Sequence, residues 1–191
     1  PFPANILGSV SASPMQMASV FAAIANSGQQ CTPQSIESVT DRNENVLKEF
    51  SADCKQVVAA EVANKTAALL TASAGQYYTS TRLSEGRPFA AKSGTTDGHA
   101  NTWLTGFTPS VVTSAWVGHG ANSSQEVSGV TINGTYYGDI YGETFVGQNI
   151  WAPYMSQILA GTPVESVSNA NIGASSPKGA TPAPSPSPHA H

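Results

Sequence analysis

A Lys-Ser-Gly-Thr-Thr segment at residues 92–96 ends the first of three strand-like runs that follow one another closely. The first run begins at residue 87, and two runs rich in β-branched and aromatic residues follow at 102–108 and 111–117. Pro109 and Ser110 are turn residues, so they favour a hairpin between the second and third runs. This spacing predicts three neighbouring antiparallel strands, with the first of them at an edge.

The chemistry of the same segment suits acyl transfer. Such a site needs a cation and hydroxyl groups that hold a carboxylate, together with backbone N–H donors aimed at a developing oxyanion. Lys92 provides the cation, Ser93 and Thr95 provide hydroxyls, and Gly94 lets a peptide lie alongside the strand. Lys92 and Thr95 are an odd number of residues apart, so local bending or Gly94 must orient them toward one site. The alternative is an ordinary edge strand with a solvated lysine.

Four flanking segments extend the pattern in a fixed order, at residues 13–28, 102–109, 115–118 and 150–155. Together they cover roughly residues 5 to 160, and they resemble the C-terminal part of the transpeptidase domain of class A, bifunctional penicillin-binding proteins, in an actinobacterial-like form. Lys-Ser/Thr-Gly is one of the three active-site boxes of that family. The resemblance implies an α+β fold in which helices cover an antiparallel sheet.

The resemblance also implies an activity, that of a peptidoglycan DD-transpeptidase. Such an enzyme cross-links stem peptides through an acyl-enzyme and is acylated by β-lactams, with no cofactor. Carried onto matching positions, Lys92 and Thr95 are expected to be catalytic, and Ser93, Gly94, Thr95 and Thr96 are expected to bind substrate. The expected location is the extracytoplasmic face of a bacterial membrane, reached through an N-terminal anchor outside this chain.

Two boxes of the family are missing from this sequence. Its nucleophile box is Ser-x-x-Lys, which occurs here only at residues 175–178, in a stretch rich in Pro, Ser and Ala that cannot form the first turn of a helix. The second box, Ser-x-Asn, does not occur. We therefore expect this chain to need the N-terminal remainder of the same domain as a partner, and to be inactive without it.

Charge, hydropathy and residue spacing argue against several other classes of function. The net charge is −4, and no basic stripe interleaves with aromatic residues, which argues against a nucleic-acid partner. No stretch approaches the ~20 apolar residues of a membrane span. No pair of His, Cys or carboxylate residues has metal-ligand spacing, so no metal site is expected. The remaining alternative to an enzyme part is a noncatalytic extracellular binding module with an incidental Lys-Ser-Gly.

The two cysteines flank a predicted hairpin. Its strands are residues 36–40 and 46–50, joined by a polar turn at 41–45. Antiparallel pairing would bring Cys31 and Cys54 opposite each other at the open end of the hairpin. We therefore predict a disulfide, which suits an oxidising compartment, with free buried thiols as the alternative.

Three helices are predicted around these strands. The first has Ser13 as N-cap, Pro14 in its first turn and Gln16 completing a capping box. The second spans 61–73 and ends near Gly75, and the third spans 150–160. The residues expected to face inward are Met17, Val20, Phe21 and Ile24 in the first helix, Val62, Thr66, Leu69 and Leu70 in the second and Trp151, Tyr154, Met155, Ile158 and Leu159 in the third.

The remaining segments are predicted to be less regular. Residues 118–149 hold seven glycines and should form a long loop with one irregular hairpin. The folded domain is predicted to span residues 1–161. Residues 162–191 become rich in Pro, Ser and Ala and are predicted to be a disordered tail.

Overall fold

The computed structural model describes residues 3–122 and 124–167 and has the predicted α+β architecture. Its helices and strands in chain order are α1 (Pro14–Ala25), β1 (Gln29–Cys31), β2 (Ser38–Thr40), β3 (Val46–Glu49), β4 (Cys54–Gln56), α2 (Ala60–Tyr77), β5 (Ala90–Thr95), β6 (Asn101–Phe107), β7 (Val112–Gly118), β8 (Val130–Ile132), β9 (Thr135–Tyr137), a π-helical segment (Gly142–Trp151) and α3 (Ala152–Ile158). Single 3₁₀ turns lie at Pro3–Leu7, Ser84–Gly86 and Asp97–His99. No helix among the described residues is long and apolar enough to cross a membrane.

The central sheet has the order β5-β6-β7 and is antiparallel throughout, which confirms the prediction. Ser93 lies opposite Leu104, and Leu104 lies opposite Ala115. The first strand begins at Ala90, three residues later than predicted, and Arg87 instead follows the 3₁₀ turn Ser84–Gly86. Its buried guanidinium pairs with Glu85 at 2.6 Å.

Two apolar clusters cover the two faces of this sheet. One cluster surrounds Leu104 and includes residues of the π-helical segment and of α3. Its largest members are Trp151, Met155, Ile140 and Leu159. Phe107 points to the opposite face, where its ring packs edge-on against Phe21 at 6.4 Å between centroids. Alternation along β6 therefore supplies both cores, which makes β6 the most buried strand.

Helix α1 forms as the sequence predicts. The Ser13 hydroxyl accepts a hydrogen bond from the Gln16 N–H at 3.2 Å, and the Gln16 side chain accepts one from the Ser13 N–H at 2.8 Å. This capping box satisfies donors that a helix N-terminus otherwise leaves open. Phe21 is buried as expected, but the expectation for Val20 was wrong, because its side chain is half exposed.

The predicted inward face of α2 is wrong in part. Val62 and Leu69 are both 55% exposed, and Leu70 alone among the large residues packs against a core cluster. The helix also continues through Gly75 to Tyr77. The face that packs inward consists of small residues, which let the helix lie close to the sheet, namely Ala63, Ala67, Ala68 and Ala74.

The closing helix begins earlier than predicted. The π-helical segment starts at Gly142, within the region expected to be loop, and runs directly into α3. Glycine suits the segment because it packs very closely: a Cβ at Gly147 would lie 2.5 Å from the Thr81 hydroxyl. Trp151, Met155 and Leu159 are buried as expected, but Tyr154 and Ile158 are exposed. The expected hairpin in 118–149 is present as β8 and β9.

The cysteines form the predicted disulfide. Cys31 and Cys54 are opposite residues of the β1–β4 pair, and their Cα atoms are 3.9 Å apart. Beyond them, β2 and β3 pair in a second two-stranded sheet whose residues are all exposed. We call residues 32–53 the hairpin arm, because the disulfide closes it at its base.

The described chain continues to pack past residue 161. The Arg87 guanidinium donates to the carbonyl oxygens of Thr162 and Pro163, and Val167 is buried in the cluster around Phe107. Residues 168–191 lie outside the described residues, so their assignment to a disordered tail stays a prediction.

Candidate active site at the open edge of the sheet

The Lys-Ser-Gly segment occupies the end of β5, whose second edge has no neighbouring strand among the described residues. The Thr96 N–H donates to the Asn101 carbonyl oxygen at 3.0 Å, toward β6, whereas the Ser93 N–H donates to the Tyr78 hydroxyl at 2.8 Å, away from it. Successive residues of a strand direct their backbone groups to opposite sides. The N–H of Thr95 therefore points to the open edge, as that of Ser93 does.

The side chain of Lys92 reaches the same edge by a different route. Alternation places it on the face opposite Ser93 and Thr95, so the strand contains no bend that aligns the three side chains. However, the Lys92 ammonium donates to the Ser93 carbonyl oxygen at 2.6 Å. That carbonyl points to the open edge with its own N–H. The cation and the Thr95 N–H therefore lie along one edge.

The hydroxyl groups of Ser93 and Thr95 share the other face of β5, two residues apart. The Thr95 hydroxyl accepts a hydrogen bond from the Gly142 N–H at 3.2 Å. The Ser93 oxygen lies 3.3 Å from the Tyr78 hydroxyl. Each predicted carboxylate-holding hydroxyl therefore has one partner within the described chain.

Gly94 and Thr96 have different surroundings. Gly94 is exposed, and a Cβ built on it would meet only the Trp103 Cβ, at 3.9 Å. Packing among the described residues therefore does not require glycine at this position. The Thr96 hydroxyl accepts the Asn101 N–H at 2.9 Å, which places it in the β5–β6 turn rather than at the open edge.

The sequence analysis did not identify two residues that contact the Lys-Ser-Gly segment. Tyr78 is only 5% exposed and caps the C-terminus of α2. The one available signal was its place in a polar and aromatic stretch, residues 76–82, between the predicted helix and the strand. Gly142 begins the π-helical segment, and a Cβ there would lie 2.9 Å from the Ser93 Cβ. The sequence offered only a glycine in a glycine-rich region that has no sustained hydrophobic period.

A small cluster of side chains connects the β5–β6 turn with the residues that precede the π-helical segment. The His99 ring packs edge-on against Tyr141 at 4.6 Å, and its Nδ1 lies 3.8 Å from an Asp139 carboxylate oxygen. Within 3–122 and 124–167, no three His, Cys, Asp or Glu residues are grouped as a metal site requires.

Comparison with known proteins identifies the family of this site. Residues 4–137 match the family model described as the penicillin-binding protein transpeptidase domain. The chain belongs to this family. The match to class A penicillin-binding proteins that the sequence motifs suggested is confirmed by relatives named penicillin-binding protein 1A.

Several relatives are similar over most of this chain. Penicillin-binding protein 1A of Mycobacterium tuberculosis is 34% identical over 82% of the chain, and penicillin-binding protein 2D of Bacillus subtilis is 33% identical over 84% of it. The matched regions cover 19% and 22% of those proteins. The chain thus spans about a fifth of the length of these relatives.

A solved penicillin-binding structure shows the same fold. The PonA1 protein of Mycobacterium tuberculosis in complex with penicillin V is 31% identical, with a TM-score of 0.74. The match covers 87% of this chain and 43% of that one. Penicillin-binding protein 1A of Haemophilus influenzae matches at a TM-score of 0.66 and 20% identity, which supports the fold alone.

Proposed function

We propose that this chain is the part of a peptidoglycan DD-transpeptidase that supplies the third active-site box and is acylated, together with its partner segment, by β-lactams. The observation that carries the proposal is the open edge of β5. The Lys92 ammonium, the Thr95 N–H and the exposed Gly94 all lie there, in a member of the penicillin-binding transpeptidase family.

Each residue has a role that follows from its position. The Thr95 N–H donates to the oxygen that becomes negative when the nucleophile attacks the carbonyl carbon. Lys92 supplies positive charge beside the nucleophile and assists proton transfer. The hydroxyls of Ser93 and Thr95 hold the carboxylate of a stem peptide or β-lactam. Gly94 lets the substrate backbone approach the edge, and Thr96 holds the turn that ends the site.

The nucleophile in this proposal comes from another segment of the same protein, the N-terminal remainder of the transpeptidase domain. The helices α1 and α2 expose several large apolar side chains, among them Met15, Val20, Val62 and Leu69. Exposed apolar groups of this size are typical of surfaces that pack against a partner. We assign that surface to the segment that carries Ser-x-x-Lys and Ser-x-Asn.

The proposed location is the extracytoplasmic face of the bacterial membrane, with the anchor on the proposed N-terminal partner segment. The Cys31–Cys54 disulfide supports it, since disulfides persist in oxidising compartments. The proposed substrates are peptidoglycan stem peptides.

The test is the second-order rate of acylation by fluorescent penicillin, measured on the complete gene product that contains this chain. Lys92→Ala should lower that rate by more than about tenfold, because it removes a charged hydrogen-bonding group from the site. Lys55→Ala is the matched control, since that lysine is exposed on β4. A wild-type rate for Lys92→Ala would reject the assignment and favour a noncatalytic extracellular binding module.

A further inference from the structure

Tyr78 makes two contacts with one residue of the third box. Its hydroxyl accepts the Ser93 N–H at 2.8 Å and lies 3.3 Å from the Ser93 hydroxyl oxygen. A phenol has a single proton. Because its lone pair already receives the N–H, that proton is directed to the Ser93 oxygen. Tyr78 is almost fully buried, so the phenol cannot easily turn to water instead.

The consequence concerns the proton of Ser93 itself. A serine hydroxyl that accepts a hydrogen bond keeps its own proton available as a donor. Thr95 is arranged in the same way, because its oxygen accepts the Gly142 N–H at 3.2 Å. Two hydroxyls on one face of β5 are therefore both held as donors, which is the arrangement that an anionic group requires.

We propose that Tyr78 is a positioning residue for the carboxylate-binding site, an inference that rests on the proposed function. It acts through Ser93 by keeping that hydroxyl oriented as a donor to the substrate carboxylate. Its removal leaves Ser93 free to donate to other acceptors and to rotate, which weakens binding of the anion.

Tyr78 also sets where a substrate can pair with the edge of β5. An added strand needs unoccupied backbone donors and acceptors along that edge. The Ser93 donor is occupied by Tyr78, and Ala90 and Ala91 before it are fully buried. An extended substrate can therefore use the Thr95 N–H but not that of Ser93, so Tyr78 determines the register of the bound peptide.

The experiment compares penicillin V with its methyl ester as acylating agents of the complete gene product. Tyr78→Phe should raise the concentration of penicillin V needed for half-maximal acylation by about five- to tenfold, the effect of one lost hydrogen bond, with little change in the limiting rate. The methyl ester lacks the carboxylate, so its acylation should be unchanged. Tyr77→Phe is the matched control, since that neighbour is 66% exposed.

Hydrogen exchange on the 191-residue chain tests the geometry without any nucleophile. The Ser93 amide should be protected in the wild type and should exchange at least about tenfold faster in Tyr78→Phe, because its acceptor is gone. A Ser93 exchange rate that Tyr78→Phe leaves unchanged would overturn the contact itself. Thermal unfolding of the same variant separates this local change from a loss of fold.

The outcomes distinguish this inference from the function on which it rests. If Lys92→Ala loses acylation and Tyr78→Phe behaves like the wild type with penicillin V, the positioning role is rejected and the transpeptidase assignment stands. Equal losses with penicillin V and its methyl ester would also reject the role, because the effect would not depend on the carboxylate. If Lys92→Ala retains the wild-type rate, the proposed function itself fails.

Discussion

Replacing both Cys31 and Cys54 by serine should lower the unfolding free energy of the 191-residue chain by about 3.4 kcal/mol. The disulfide joins residues separated by 23 positions, and closing a loop of that length restricts the unfolded chain by about this amount. Little of the effect should come from lost packing, because Cys54 is exposed and Cys31 only partly buried.

The measurement is urea denaturation of the oxidised wild type and of the double serine variant. The tryptophans report on the body of the domain, since Trp103 and Trp116 lie on paired strands and Trp151 is fully buried. The wild type in excess reductant is the matched control and should shift by the same amount as the variant.

One result would refute this reasoning. A change below about 1 kcal/mol would mean that the hairpin arm opens independently of the body, so that the loop is not part of the cooperative unit. The arm has the features of such a unit, because all residues of β2 and β3 are exposed. Alkylation with and without reductant, read by mass spectrometry, checks that the bond is present.

Two further predictions follow from the described packing. Leu104→Ala should lower the unfolding free energy by about 2–5 kcal/mol, because the side chain is fully buried. Leu69→Ala should change it by less than about 0.5 kcal/mol, because that side chain is exposed. Urea titration of the 191-residue chain measures both, and similar losses would contradict the observed orientation of α2. The pKa of Asp41 lies below its usual 3.8. The main cause is the hydrogen bond from the Asn45 side-chain amide, followed by those from the N–H groups of Asn45 and Asn43. Because the folded state lowers this pKa, the ionised Asp41 stabilises the turn above pH 3.8. This stabilisation is lost as the pH falls through the folded pKa. The Asn45 amide signal in NMR should therefore shift below about pH 4, and an unchanged signal down to pH 2 would contradict the contact.

Local signals in the sequence predicted the central sheet, the capping box of α1 and the disulfide correctly. The three strands follow from β-rich runs separated by turn residues, and the capping box of α1 needs only Ser13 and Gln16 at the right spacing. The disulfide follows from the near-symmetric placement of Cys31 and Cys54 about one hairpin. These features depend on residues close in sequence, where backbone geometry limits the alternatives.

The inward face of α2 could not be read in the same way. Hydrophobic periodicity favoured Val62 and Leu69, but the helix packs through alanines, because a close approach to the sheet gains more contact than larger side chains at greater distance would allow. The π-helical segment was missed for a related reason. Gly142 and Gly147 are typical of loops in isolation, yet here they permit contacts that a Cβ would block.

The sequence by itself determined the family, the order of the strands and the position of the Lys-Ser-Gly-Thr segment at a strand end. Only the tertiary structure decided which groups surround that segment. Tyr78 precedes Ser93 by 15 residues and Gly142 follows Thr95 by 47, so no local pattern links them. They meet because α2 and the π-helical segment pack against β5, and that packing directs the hydroxyl groups of the candidate site.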